Sequence, residues 1–374
     1  MKNEKIIFFG AGHKKEILTK FIENYGGFDI VEIWDNNRLF WGEETLILNK
    51  RVPITQPHSL QDYPVVISSD AYFDEIKKQL IFEFGIKESL IKPSQYLFKN
   101  FKDEIISRYR DSSDQSIIGI CNYLKNHEID MFNGQVKKEY PGDMFDILRD
   151  EVSGLLYSYW MGKKIYLKSE IKSEAVAKEY LCLLCKEQDN NSPHCYSINK
   201  LNLTEDDVVV DAGAAEGFFS LQIVDQVKKI YLVESNREWL EALKYTFAPY
   251  SQKIVIVPKW LGSKNDESTI SIDQIDNKDK ITLVKLDVEG AETDAIAGGE
   301  RTFSSDRDIQ VVACTYHRTE DADHFCTYFR DKGFDTEFSK GYLFVGGLEV
   351  VKPELRKGVL TARKGGRFYG KSEL

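Results

Sequence analysis

The chain has 374 residues, 42% hydrophobic and 29% charged, with a formal net charge of −10. Such an acidic balance argues against a nucleic-acid partner, because phosphate binding needs a basic surface. No apolar run approaches the ~20 residues of a membrane span, and the length suits two domains with a helical insert.

Lys5–Phe9 reads as a strand running into the turn Gly10-Ala11-Gly12, not as a secretory leader, so a cytoplasmic location is expected. His13–Tyr25 has helical periodicity, Asp29–Trp34 reads as a strand ending at Asp35, Val65–Ser68 as a buried strand and Asp74–Phe84 as a helix. Residues 1–98 are therefore expected to be a small Rossmann-like α/β domain. Residues 99–195 read as a helical insert, with helices over Phe101–Tyr109, Ser116–Asn126, Met144–Tyr159 and Ser173–Lys186 and breaks at Tyr140-Pro-Gly142 and Met161-Gly162.

Residues 196–374 alternate strands with helices. Strands are expected at Val208–Val210, Lys229–Val233, Lys253–Val257, Ile281–Leu286 and Gln310–Thr315, with late strands at Tyr342–Val345 and Gly358–Ala362. Helices are expected at Phe218–Gln226, Trp239–Tyr250, Thr293–Gly299 and Asp321–Lys332. This is the pattern of a doubly wound α/β sheet, whose ligands lie at the carboxyl ends of the strands. Asp211, Glu234, Asp287 and His317 all stand there. The six cysteines show no disulfide framework and read as buried thiols.

The loop Asp211-Ala-Gly-Ala-Ala-Glu-Gly217 follows the first of these strands. Gly213 permits a backbone conformation that other residues resist and a close approach to a ligand. Gly217 stands at the start of the following helix, and Ala214 lies between the two glycines. The spacing differs from the G-x-G-x-x-G of dinucleotide enzymes, and an acid at the end of the next strand, Glu234, is placed to accept bonds from both hydroxyls of a ribose. Together they point to S-adenosyl-L-methionine (SAM), with Asp211 on its amine directly or through water; another nucleotide or a purely structural turn are the alternatives.

Val208-Val-Val-Asp-Ala-Gly-Ala-Ala-Glu-Gly217, Ile230-Tyr-Leu-Val-Glu234 and Val284-Lys-Leu-Asp-Val-Glu-Gly-Ala-Glu292 resemble the FkbM-type methyltransferases, over roughly Ser192–Lys364. The last string is similar to the family's K-x-D-x-E-G-x-E signature. The resemblance implies a class I methyltransferase domain and a SAM-dependent O-methyltransferase acting on a sugar or a polyketide. Ala214-Ala215-Glu216 departs from the stretch many members carry.

Asp287, Glu289 and Glu292 crowd one strand-to-helix turn, where helix capping is the alternative to a catalytic role. Asp287 and Glu289 are taken as acceptor-side residues, Asp287 also as a contact for the donor's amine; no metal is assigned. His317 has the titration range of a general base for an acceptor hydroxyl, against the alternative of a structural histidine. Thr315-Tyr-His-Arg-Thr-Glu-Asp321 is similar to a Y-H-x-x-E-D string in one branch of the family. Trp260 is a candidate neighbour of the adenine, Ser192-Pro-His-Cys-Tyr196 a segment able to reach over SAM, and Tyr157, Tyr159, Trp160, Lys163, Lys164 and Tyr166 a surface able to meet a sugar.

Gly10-Ala-Gly12 with Asp35 resembles a dinucleotide fingerprint whose third glycine is replaced by Lys15. The first domain is similar to the Rossmann-like modules of PglD-type acetyltransferases, which implies nucleotide-sugar binding, with a scaffold or dimerisation module as the alternative. The leading expectation is an O-methyltransferase of a sugar hydroxyl on a nucleotide-activated sugar or surface-glycan unit. The rivals are an NAD-linked oxidoreductase acting through the first domain and a non-catalytic sugar-nucleotide-binding scaffold; besides the acceptor, a second copy of the chain, as a homo-oligomer, is a candidate partner.

Overall fold

The computed structural model describes residues 3–368 apart from 13–14, 16–18, 21, 24, 48, 60–62, 70–71, 99–100 and 346–351. The chain divides into two compact units, Met1–Met131 with Val345–Glu354, and Phe132–Phe344 with Leu355–Leu374.

In the first unit, β1 (Glu4–Phe9), β2 (Phe28–Trp34), β3 (Glu44–Ile47), β4 (Lys50–Thr55), β5 (Val65–Ile67) and β6 (Ile91–Pro93) form one sheet in the order β3-β4-β2-β1-β5-β6. All its pairings are parallel except β3 with β4. The apolar runs Ile6–Phe9 and Val65–Ile67 are buried throughout, as a sheet covered on both faces requires. Helix α1 (Phe73–Phe82) lies between β5 and β6, and α2 (Phe101–Tyr109) and α3 (Gln115–Leu124) follow β6. The helix expected over His13–Tyr25 falls largely outside the described residues. Segment 352–354 returns to this unit because the fully buried carboxylate of Glu354 accepts bonds from Tyr25, Arg108 and Tyr109.

The second unit begins with β7 (Leu148–Arg149), β8 (Leu156–Trp160) and β9 (Lys163–Tyr166), an antiparallel meander, and then α4 (Glu174–Glu187). The helix expected over Met144–Tyr159 is therefore absent. Its aromatic run Tyr157-Ser-Tyr-Trp160 favours a pleated surface, and Met161-Gly162, both at positive φ (50° and 76°), close a tight hairpin.

The main sheet follows: β10 (Val208–Ala212), α5 (Phe218–Ile223), β11 (Lys229–Val233), α6 (Arg237–Thr246), β12 (Ile254–Val257). A short pair, β13 (Trp260–Leu261) with β14 (Thr269–Ile270), then α7 (Ile272–Asp276), leads to β15 (Leu283–Leu286), α8 (Glu292–Ala297), α9 (Glu300–Ser304) and β16 (Ile309–Cys314). After α10 (Asp321–Asp331) come β17 (Asp335–Phe338), the small pair β18 (Leu343–Phe344) with β19 (Leu355–Arg356), and β20 (Val359–Lys364). Seven strands align as β12-β11-β10-β15-β16-β20-β17. Only β20, inserted between β16 and β17, runs against its neighbours.

The chain leaves β10 towards one edge and returns beyond it at β15. The loops after these two strands therefore face each other at the point where the winding reverses, which is where such sheets open a ligand crevice. Among the described residues no helix is long and apolar enough to cross a membrane.

Candidate active site

The loop after β10 is fixed from several directions. Gly213 (φ +68°) passes so close to the β15 loop that a Cβ on it would stand 1.8 Å from the Asp287 carbonyl oxygen. A Cβ on Gly217 (φ +82°) would stand 2.4 Å from the ring of Phe247. The glycines thus serve loop crossing and helix packing. Between them Ala215 is held at φ 45°, a conformation that costs a non-glycine residue about 1–2 kcal/mol.

Lys285, in the middle of buried β15, holds the loop from within. Its Nζ donates to the carbonyls of Gly213 (2.7 Å) and Ala212 (3.2 Å) and pairs with Asp211 Oδ1 at 3.1 Å. Burial opposes its charge, but Asp211 and Asp287 raise its pKa above the ordinary lysine value. Asp211 is fully buried, with its other oxygen accepting from the Ser220 hydroxyl at 2.6 Å. The expected contact of Asp211 with a ligand amine is therefore corrected: both oxygens are turned inward, and the residue anchors Lys285 and α5.

Glu234 directly follows β11. Its carboxylate accepts from the backbone N–H groups of Ala215 (3.0 Å), Ser235 (2.8 Å) and Asn236 (2.8 Å), joining the β10 loop to the β11 loop.

Two clefts open above these loops. The first, of about 320 Å³, is bounded by Glu234, Asn236, Trp239, Lys259 and Trp260. Trp260 is 60% exposed, so it is a cleft wall and not part of the core. The second, of about 210 Å³, is bounded by Tyr180 and Glu187 of α4, Glu216 and Ala214 of the β10 loop, and His194 and Tyr196. Gly213, Ala215, Asp287 and Glu289 line both, so the clefts meet at the β10–β15 crossing.

At that junction Asp287 Oδ2 accepts from the Tyr196 hydroxyl at 2.6 Å. His194 Nε2 lies 3.9 Å from the same oxygen and 2.9 Å from the Tyr316 hydroxyl. Burial works against the Asp287 charge, but Lys285, His194, His317 and the Tyr196 bond hold its pKa down at about 2. Asp287 is therefore a fixed anion. The segment Ser192–Tyr196 does reach this cleft, through His194 and Tyr196. Burial lowers the His194 pKa against the opposing pull of Asp287, and Lys285 and His317 add to the lowering.

Glu289 stands at φ 52° and is followed by Gly290 at φ 93°, a turn that leaves the Glu289 side chain 88% exposed at the cleft rim. His317 lines neither cleft. It stands behind the two acids, with Nδ1 2.9 Å from the fully buried Glu292 and Nε2 3.5 Å from Glu289 and 3.8 Å from Asp287. Burial disfavours the imidazolium, yet Glu292, Asp287 and Glu289 outweigh this and raise its pKa. These contacts favour the imidazolium and set His317 away from both clefts, which differs from the base at the acceptor expected from the sequence.

Sequence reasoning missed Lys285 as a separate residue, and missed Tyr180, Glu187 and Glu216. A lysine inside the apolar run Leu283–Leu286 was one available signal, since a buried lysine is nearly always paired. An acid in the last turn of α4, opposed by the helix dipole, was another. The aromatic–lysine surface of β8 and β9 packs upon itself and on α5, with Trp160 against Phe218 (4.8 Å) and Lys164 over Tyr157 (4.4 Å).

Residues 152–336 match the family model described as the methyltransferase FkbM domain. No curated protein matches the sequence. Among solved structures, precorrin-6y C5,15-methyltransferase from Geobacter metallireducens is similar at 19% identity and TM-score 0.32, over 44% of this chain and 85% of its own. An rRNA methylase from Streptococcus thermophilus is 12% identical, TM-score 0.30, over 45% and 93%. TYW2 from M. jannaschii, in complex with AdoMet, is 14% identical, TM-score 0.32, over 58% and 89%.

Proposed function

We propose that this protein, a SAM-dependent methyltransferase whose residues 152–336 are an FkbM domain, transfers a methyl group to a hydroxyl of a sugar. The observation that carries this reading is the pair of clefts joined at Gly213 and Asp287. The first has the groups for an adenosine: Trp260 and Trp239 as ring neighbours, and Glu234 at its floor. The second is acidic, with Glu187, Glu216, Asp287 and Glu289 against the single lysine Lys285. That charge suits the donor, whose sulfonium and ammonium are positive, since opposite charges a few ångströms apart stabilise one another.

The donor supplies an electrophilic methyl carbon. The chain's own residues position it and receive the acceptor. Lys285 and Glu234 keep the loop in the shape that admits it. Asp287, a lasting anion, lies where it can accept a bond from a hydroxyl without taking its proton. His317 and Tyr196 hold that carboxylate in place. Tyr180, Tyr196 and Tyr316 give the second cleft aromatic walls and polar tips, which suit a sugar ring bearing hydroxyls.

The test is a mass-spectrometric screen of nucleotide sugars and free glycans incubated with protein and SAM. A sugar hydroxyl gaining the mass of one methylene, with stoichiometric S-adenosylhomocysteine, is the expected result. Methylation confined to amines, or to non-sugar acceptors, contradicts it.

A further inference from the structure

Glu187 is the last residue of α4 and lines the acidic cleft. Among the described residues it has no hydrogen-bond partner. Helix capping does not account for it, because an acid at a helix C-terminus is opposed by the dipole, at a cost of about 0.3–1 kcal/mol. Every other acid here is committed or open to solvent. Glu216, from the β10 loop, accepts from the Tyr180 hydroxyl at 2.6 Å. Asp287, from the β15 loop, accepts from Tyr196. Glu289 is 88% exposed. The remaining polar groups facing the cleft are Gln188, His194, Tyr316 and Lys285, and the Lys285 ammonium is taken up by loop carbonyls and Asp211. Glu187 is the one half-buried, uncommitted carboxyl in the cleft among the described residues.

Resting on the reading of this cleft as the site of methyl transfer, we propose that Glu187 accepts the proton of the acceptor hydroxyl, and that arrival of the donor prepares it to do so. In the transfer, a lone pair on the hydroxyl oxygen forms the bond to the methyl carbon. The carbon–sulfur bond breaks with its electron pair going to sulfur. The hydroxyl proton passes to the Glu187 carboxylate and then to solvent.

The preparation is electrostatic. Burial first, then Glu216, Asp287 and Glu289, push the Glu187 carboxyl up to about 8. In the empty cleft at neutral pH it keeps its proton. A positive charge within a few ångströms lowers a carboxyl pKa by about 1–3 units. Donor binding thus releases the proton and leaves a carboxylate tuned near neutrality, the range in which a general base is most effective.

The experiment is calorimetric titration of SAM near neutral pH, in two buffers of different ionisation heat, with the wild-type chain, Glu187→Gln, Glu187→Asp and Glu216→Gln. The expected result is proton release on SAM binding that is lost in Glu187→Gln and kept in Glu216→Gln. Glu187→Gln loses about 2–100-fold in SAM affinity at neutral pH, the reciprocal of a pKa lowering of about 1–3 units, while turnover at saturating SAM of the sugar found in the screen falls about 10²–10⁴-fold, as for loss of a general base. Glu187→Asp recovers part of both. Unchanged proton release in Glu187→Gln, full turnover, or a loss of SAM affinity with turnover kept at saturating SAM would each overturn the proposal. Proton release is read without an acceptor, so a screen that methylates no sugar leaves this arm intact and separates the two failures.

Discussion

The missing side chain of Gly213 is what lets the β10 loop cross the carbonyl of Asp287, since a Cβ there would lie 1.8 Å from that oxygen. This crossing joins the two clefts. Gly213→Ala is expected to cost about 2–4 kcal/mol, combining the positive φ with the clash, and to weaken SAM binding at least about tenfold, a penalty of roughly 1.4 kcal/mol. Urea unfolding and calorimetry read the two effects, and wild-type values in both would remove the crossing from the account.

Lys285 and Asp211 form a buried pair, with side chains 4% and 0% exposed. Removing one partner strands a buried charge, which typically costs about 3–5 kcal/mol. Lys285→Met should therefore destabilise strongly. Adding Asp211→Asn should cost less than the sum of the single changes, because the charge left behind is gone. Strictly additive losses in a double-mutant cycle would show that the two do not act as a pair.

Glu234 ties two loops through three backbone N–H groups. Glu234→Gln keeps the shape but loses charge-assisted bonds worth about 1.5–3 kcal/mol each. SAM affinity is expected to fall about 10–100-fold, roughly 1.4–2.8 kcal/mol, with S-adenosylhomocysteine affected alike. A variant that binds both normally would dissociate Glu234 from the cleft.

Trp260 is a wall of the first cleft and contributes little to the core. Trp260→Ala should leave the free energy of unfolding within about 0.5 kcal/mol of wild type and weaken SAM by about 0.5–1.5 kcal/mol, the worth of an aromatic contact. A large loss of stability with unchanged binding would return Trp260 to a packing role.

His317 has its pKa raised in the folded chain, so its protonation favours folding. That contribution is complete below the unfolded value of about 6.5 and is lost as pH rises through the higher folded value. His317→Asn should thus reduce stability more at pH ~6 than at pH ~9. A pH-independent difference in urea unfolding would contradict the charged histidine. Turnover surviving in this variant would agree with a positioning role.

The doubly wound sheet was legible because its strands are apolar runs of the right length, with an acid or a histidine within or just after several of them. The glycine loop and the positions of Glu234, Asp287 and Glu289 followed from the same pattern. Which way an acid at a strand end points was not legible. Asp211 lies inside β10, in register with Leu232, and Glu234 just after β11, yet one is drawn inward by Lys285 and Ser220 while the other bridges two loops. The β8–β9 hairpin was hidden because its aromatics and lysines also satisfy a helical pattern. Glu187 reaches the cleft through the packing of α4, which local sequence does not encode.

The most direct measurement is calorimetric titration of SAM into the wild-type chain and into Glu234→Gln. The expected result is one SAM per chain in the wild type and a 10–100-fold weaker isotherm in the variant, about 1.4–2.8 kcal/mol. No binding by the wild type at about 1 mM SAM, equivalent to less than roughly 4 kcal/mol of affinity, would contradict the joined clefts as the seat of the methyl donor.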